Sequence, residues 1–81
     1  MNTYIELRPG EQWRDVADAF TSYCTRELRL DQCAFEEGDA ARAPQDGKRY
    51  AAIYIRQHSS FLNTHLLDWA YSQHRAFKPW G

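Results

Sequence analysis

The chain has few cysteines, and they lack the spacing that is typical of a disulfide framework or a zinc site. Only Cys24 and Cys33 occur in 81 residues, whereas such sites use Cys-x-x-Cys pairs or four ligands. Both cysteines fall on predicted apolar faces, where a thiol behaves as a small hydrophobic side chain. The cysteine content therefore favours a reduced, cytoplasmic protein.

The chain also lacks a long hydrophobic run and a strong excess of charge. No apolar stretch approaches the ~18 residues of a membrane span, and residues Met1 to Arg8 alternate instead of forming a signal-peptide core. The net charge is −1, so the basicity that drives nonspecific binding to nucleic acid or anionic lipid is missing. With 43% hydrophobic residues, we expect one folded domain over residues 1–81 and no membrane contact.

Charge is distributed unevenly along the chain. Residues 1–40 carry four basic and nine acidic residues, and residues 41–81 carry six basic and two acidic residues. Two arrangements are open: either strands from the two halves pair and bring opposite charges together, or one face keeps a single sign and binds a charged partner.

Alternation of apolar and polar residues predicts three strands. They span Thr3 to Arg8, Asp31 to Glu36 and Lys48 to Gln57, and the last has the clearest β-branched and aromatic pattern. Between the second and third strands, the segment Glu37 to Gly47 is rich in turn-forming residues and predicts a long loop. The second and third strands are therefore expected to pair as an antiparallel hairpin.

Apolar residues at three- and four-residue intervals predict two amphipathic helices. The first begins near Glu11, runs for about five turns and carries its apolar stripe from Trp13 to Leu28. The second begins after a cap at Ser59 or Ser60 and keeps its apolar stripe as far as Phe77. Lys78-Pro79 ends the second helix, because proline cannot continue a helix without strain.

This βαββα order predicts an α+β domain in which a three-stranded sheet and two helices form a two-layer sandwich, with both helices on one face of the sheet. The face turned to the helices carries Ile5, Leu7, Cys33, Phe35, Ile53 and Ile55. Period-two geometry places on the other face Tyr4, Glu6, Arg8, Gln32, Ala34, Glu36, Lys48, Tyr50, Ala52, Tyr54 and Arg56. Because neither helix covers it, that other face is expected to be open.

The open face combines aromatic rings with positive charge, a mixture that is enriched at recognition surfaces. The predicted partner-binding residues are Tyr4, Arg8, Lys48, Tyr50, Tyr54 and Arg56. A plainer alternative is that the tyrosines only form cross-strand pairs on a solvated sheet.

Residue patterns for catalysis or metal binding are sparse. His58 precedes two serines that helix capping already explains, and His65 and His74 are nine residues apart, off the i, i+4 spacing of a paired metal site. No glycine-rich phosphate loop is present. We therefore predict a chain that is not an enzyme, with no catalytic residue, metal or cofactor.

The sequence thus predicts a non-enzymatic interaction module that binds a larger protein, in the manner of a small phage-type inhibitor that covers a site on a bacterial defence protein. One alternative is a sheet that binds RNA or other single-stranded nucleic acid through stacking and phosphate contacts. It is disfavoured because Glu6 and Glu36 share the face with the three bases and would repel phosphate. A further alternative is a structural subunit that forms a homodimer through the open face.

Overall fold

The computed structural model describes residues 2–30, 35–56 and 60–79. Its elements are β1 (Asn2–Glu6), α1 (Trp13–Glu27), β2 (Phe35–Glu37), β3 (Tyr50–Ile55), α2 (Ser60–Ser72) and β4 (Phe77–Pro79), with a short 3-10 helix (Ala40–Arg42) between β2 and β3. The chain is a small α+β protein, as predicted, and the described residues form two α-helices and one antiparallel sheet. The element order in the described ranges is βαββαβ, with one strand more than the sequence predicted.

The four strands form one sheet in the order β2-β3-β1-β4, and every neighbouring pair is antiparallel. The predicted antiparallel pairing of the second and third strands is confirmed, because Glu36 of β2 pairs with Tyr54 of β3. Each helix connects two strands that run in the same direction with a third strand between them. This is the split βαβ, or ferredoxin-like, topology.

The predicted three-stranded sheet is wrong because α2 ends earlier than its apolar pattern indicates. After Ser72 the chain forms a Schellman motif, in which the Arg75 amide donates to the Ala70 carbonyl at 3.0 Å and His74 adopts a left-handed φ of 57°. This turn reverses the chain. Phe77–Pro79 then pairs with β1 instead of extending the helix.

The other predicted elements are present with shifted ends. β1 and β3 are shorter than their alternating patterns, and the predicted long loop contains the 3-10 helix. Residues 31–34, which include Cys33 and the predicted start of the second strand, lie outside the described residues, as do Ser59 and Trp80. Neither of the two described helices is long and apolar enough to cross a membrane.

Both helices and the sheet share one hydrophobic core. The Phe20 ring of α1 lies 5.8 Å from the Phe35 ring and 5.7 Å from the Trp69 ring, so α1, β2 and α2 meet at this side chain. The buried core consists of Ile5, Val16, Phe20, Cys24, Ala51, Ile53, Ile55, Leu62, Leu66, Trp69 and Ala70. The apolar residues predicted to face the helices at β1 and β3 therefore do so.

Candidate interaction surface

The side of the sheet opposite the core carries the predicted alternation. We call it the outer face, and its residues are Asn2, Tyr4, Glu6, Glu36, Tyr50, Ala52, Tyr54 and Lys78. Tyr4 pairs with Ala52 across β1 and β3, and with Lys78 across β1 and β4. Lys78 was not predicted to lie in a strand, and it adds a positive charge to this face.

A segment of the chain itself lies over the middle of the outer face. In this segment, residues 38–43, which we call the strap, the Asp39 amide donates to Asn2 Oδ1 at 3.2 Å. The Tyr4 hydroxyl donates to the Asp39 carbonyl at 2.8 Å. Tyr4 is 0% exposed and Ala52 is 2% exposed, and burial raises the pKa of Tyr4. The prediction that this face is open is therefore wrong at its centre, and Tyr4 offers no surface to a partner while the strap is in place.

Gly38 lets the strap approach the sheet this closely. A Cβ at this position would lie 2.1 Å from Asn2 Oδ1 and 3.3 Å from Tyr54 Cβ, so a side chain would displace the Asn2 amide. One residue later, the Asp39 side chain accepts the Ala41 amide at 3.0 Å and caps the 3-10 helix. The position of the strap thus depends on the absence of a side chain at Gly38 and on the capping hydrogen bond of Asp39.

Tyr50 and Tyr54 remain half-exposed on either side of buried Ala52. The Tyr50 hydroxyl donates to Asp46 Oδ2 at 2.6 Å; this hydrogen bond raises the pKa of Tyr50 to about 12 and lowers the pKa of Asp46. The Tyr54 hydroxyl, in contrast, has no hydrogen-bond partner among the described residues. Of the three predicted tyrosines, Tyr54 therefore combines an accessible ring with an available hydroxyl.

The three predicted basic residues do not form one patch. The guanidinium of Arg8 donates to the Gln73 carbonyl, which draws it towards the end of α2. Lys48 is exposed in the turn before β3, and Arg56 follows eight residues later, which is about 26 Å along an extended chain. Arg56 is also paired with Glu36, with Nε 3.5 Å from Oε2. The outer face therefore offers no continuous basic track.

Sequence reasoning missed a buried ion pair beside β4. The side chain of Arg75 is 2% exposed, and its two terminal nitrogens donate to the Glu11 carboxylate at 2.6 and 2.9 Å. The guanidinium also donates to the Glu6 carbonyl at 2.9 Å and lies 5.4 Å from the centre of the Trp69 ring. Because Arg75 binds the charged carboxylate, the pKa of Glu11 falls to about 2. No sequence pattern signals this pair, since its residues are 64 positions apart.

Neighbouring contacts show that this ion pair joins the loop after β1 to the turn before β4. The Arg49 side chain donates to the Glu11 carbonyl at 2.6 Å, and the Arg8 amide donates to the Glu11 carboxylate at 2.7 Å. The Ala76 amide donates to the Glu6 side chain at 2.8 Å. The carboxylates of Glu6 and Glu11 thus both accept hydrogen bonds from the chain itself, so this group of contacts has a structural role.

Three ion pairs bring together opposite charges from the two halves of the sequence. Each of the ion pairs Arg42–Asp39, Arg56–Glu36 and Arg75–Glu11 joins a base from residues 41–81 to an acid from residues 1–40. Arg42 and Asp39 are three positions apart on one segment, and neither Arg75 nor Glu11 lies in a strand, so both arrangements that the sequence left open stay predictions.

The predicted absence of catalytic chemistry stays a prediction. Within residues 2–30, 35–56 and 60–79, no three His, Cys, Asp or Glu side chains are grouped so that they could hold a metal, and this part of the surface forms no pocket. The centres of the His65 and Phe61 rings are 4.5 Å apart, with the rings edge-on, and His74 occupies the turn after α2. His58 lies outside the described residues.

No known protein family, curated protein or solved structure matches this chain significantly. The split βαβ topology supports unrelated functions, because function depends on the residues carried by a fold. The function of this chain therefore depends on the residues at its surface.

Proposed function

We propose that this chain is a non-enzymatic module that acts in the cytoplasm and binds a larger protein through the outer face around Tyr54. The supporting observation is that Tyr54 is half-exposed on a central strand, with no hydrogen-bond partner for its hydroxyl among the described residues. A tyrosine held in this way offers a large apolar ring and a polar tip at low cost in conformational entropy. Inhibition of the larger protein, by covering a site on it, is the role we propose.

The charges around Tyr54 favour a protein partner. The Arg56–Glu36 pair lies beside it, and the exposed Arg42–Asp39 pair lies on the strap. Such mixed charges at the rim of an interface tune the association rate and the register, whereas buried tyrosines and arginines contribute most of the affinity. The surface around Tyr54 fits this description, because its charges are paired and a tyrosine lies between them.

The same geometry argues against a nucleic-acid partner. A platform for single-stranded nucleic acid needs neighbouring rings on which bases stack and a basic groove that follows the phosphates. Here Tyr4 is buried under the strap, the Tyr50 hydroxyl is bound to Asp46, and Lys48 and Arg56 lie at opposite ends of β3. The outer face is therefore less suited to a nucleic-acid partner than to a protein partner.

The proposal is tested by capturing partners on the immobilised protein from a nuclease-treated lysate of its source cells. The captured protein is purified, and its affinity is measured by calorimetry for the wild type, for Tyr54→Ala and for Tyr71→Ala. We expect Tyr54→Ala to weaken binding by about 1–3 kcal/mol. Tyr71→Ala, which removes an exposed tyrosine from α2, is the matched control and should leave the affinity unchanged. Equal affinities for all three proteins would remove the support for this surface.

A salt titration separates the two classes of partner. If a labelled single-stranded oligonucleotide bound through three phosphate contacts, its affinity would fall with a log–log slope of about −2. We expect no such binding. A slope of that size, abolished by Arg56→Ala together with Lys48→Ala, would make nucleic-acid binding the better interpretation.

A further inference from the structure

The solvent-facing side of α2 carries exposed aromatic residues that lie away from the outer face. Phe61 is 57% exposed and Tyr71 is 76% exposed, and Thr64 and Asp68 lie exposed between them. Residues with this spacing of three and four line one side of a helix, as the a and d positions of a coiled coil do. We call these four residues the α2 stripe.

We propose that the α2 stripe binds a second copy of this chain, with the two α2 helices antiparallel across a two-fold axis that crosses the stripe midway between Thr64 and Asp68, at the level of buried Leu66. Phe61 and Tyr71 are equally distant from Leu66 along the chain, and so are Thr64 and Asp68. An antiparallel pairing about that point therefore sets each Phe61 against the second copy's Tyr71. The stripe is self-complementary, as a two-fold interface requires.

Polar groups beside the axis support a second copy over a different partner. His65 lies next to the stripe, where its ring is held edge-on against Phe61 at 4.5 Å. In the antiparallel pair the second copy's Asp68 lies opposite Thr64, the chain neighbour of His65, so that each imidazole can contact that carboxylate near the centre while Phe61–Tyr71 contacts flank it. Another protein would have to supply both an acceptor for the imidazole and a donor for the carboxylate, which a second copy supplies by symmetry.

The sheet edges provide a weaker route to self-association. β2 and β4 have three residues each, with Glu36 and Glu37 on one edge and Lys78 and Pro79 on the other. Short, charged edges and an edge proline are features that prevent pairing between strands of different molecules. Helix contact is therefore the favoured geometry.

The length of α2 sets the strength of the dimer that we expect. Its 13 residues span about 20 Å, so contact between two such helices buries less than the roughly 1,200 Å² typical of stable complexes. The dimer should accordingly form and dissociate in the micromolar to millimolar range of protein concentration.

Sedimentation equilibrium of the whole protein, over a range of about 10 μM to 1 mM, tests the proposal. We expect the average mass to rise from 9.5 kDa towards twice that value. Tyr71→Ser should raise the dissociation constant by about tenfold or more, because both symmetry-related aromatic contacts are lost. Tyr54→Ser, on the outer face, is the matched control and should leave dimerisation unchanged. A mass of 9.5 kDa at every concentration, or equal effects of the two variants, would overturn the proposal.

A charge exchange tests the geometry itself. His65→Asp and Asp68→His should each weaken the homodimer, because each variant puts like residues opposite one another. Mixing the two variants restores complementary pairs, so native mass spectrometry should show the mixed dimer in excess over either homodimer, with circular dichroism confirming that both variants fold. A mixture without this excess would contradict the antiparallel arrangement. Because these variants leave Tyr54 intact, failure here is distinguishable from failure of the proposed function.

Discussion

At the scale of single residues, the Arg75–Glu11 pair is a contact on which stability should depend strongly. The Arg75 side chain is 2% exposed and that of Glu11 is 24% exposed, so both charges have lost much of their hydration. Removing one partner of such a pair leaves a buried charge without compensation, which is far costlier than the loss of an exposed pair. Breaking the Arg75–Glu11 pair should therefore cost more stability than breaking Arg56–Glu36, whose side chains are more than half exposed.

We predict that Glu11→Gln lowers the free energy of unfolding by about 3–5 kcal/mol at neutral pH. The pKa of Glu11 is lowered from 4.5 to about 2 in the folded protein, so its contribution is complete above pH 4.5 and is lost as the pH falls towards 2. This pH-dependent part amounts to about 3 kcal/mol. Urea denaturation between pH 7 and pH 2, followed by tryptophan fluorescence, measures both effects.

Arg56→Gln is the matched control for this prediction, because it breaks an exposed ion pair and should change stability by no more than about 1 kcal/mol. Glu11→Gln should also lack the loss of stability between pH 4.5 and 2 that Glu11 causes in the wild type. If the variant and the wild type lost stability equally over that range, Glu11 would not be the group responsible.

At the scale of elements, the strap decides which part of the outer face is accessible. Backbone groups of the strap bind side chains of β1: the Asp39 carbonyl accepts from the Tyr4 hydroxyl, and the Asp39 amide donates to the Asn2 side chain. None of these contacts follows from a hydrophobic period. They depend on where the chain turns after β2, and Gly38 permits that turn.

We predict that Tyr4→Phe lowers the free energy of unfolding by about 1 kcal/mol, because it removes the hydrogen bond between the Tyr4 hydroxyl and the Asp39 carbonyl of the strap. Amide hydrogen exchange of the strap should become faster in this variant. Tyr54→Phe is the matched control, since its hydroxyl has no partner in the described part of the chain. If the two variants behaved alike, the Tyr4 hydroxyl would not hold the strap.

Element ends show how far local sequence patterns can predict this fold. The patterns predicted β1, α1 and β3 because each is long enough to repeat its period several times. β4 has three residues, too few to show a period, and its Phe77 also fits the stripe of the preceding helix. The end of α2 depends on His74 in a left-handed conformation, which non-glycine residues adopt rarely and which the sequence does not signal.

At the scale of the whole molecule, Phe20 links the parts of the core. Its ring contacts Phe35 of β2, Trp69 of α2 and Tyr23 of its own helix. A side chain that contacts β2 and α2 from α1 should couple the unfolding of these elements. We therefore expect the described elements to unfold together.

We predict that Phe20→Ala lowers the free energy of unfolding by about 3–5 kcal/mol; Phe20→Leu, a milder change that preserves folding, should lower it by about 1–3 kcal/mol. In the Leu variant, far-ultraviolet circular dichroism and tryptophan fluorescence should report one transition at the same urea concentration. Phe61→Ala, which truncates an exposed ring, should change stability by no more than about 0.5 kcal/mol. Two separate transitions would show that these elements unfold independently.

The sequence by itself determined the α+β class, the two helices, the antiparallel pairing of β2 with β3, and the side of the sheet on which Ile53 and Tyr54 each lie. The class, the helices and the sides of the sheet follow from side-chain periods that repeat within one element, and the β2–β3 pairing follows from the turn-forming residues between the two strands; both signals can be read from neighbouring residues. Only the tertiary structure decided that β4 joins the sheet, that the strap buries Tyr4, and that Arg75 meets Glu11. The physical reason is that each of these contacts joins residues 35 or more positions apart, where hydrogen-bond partners become neighbours only after the chain has packed.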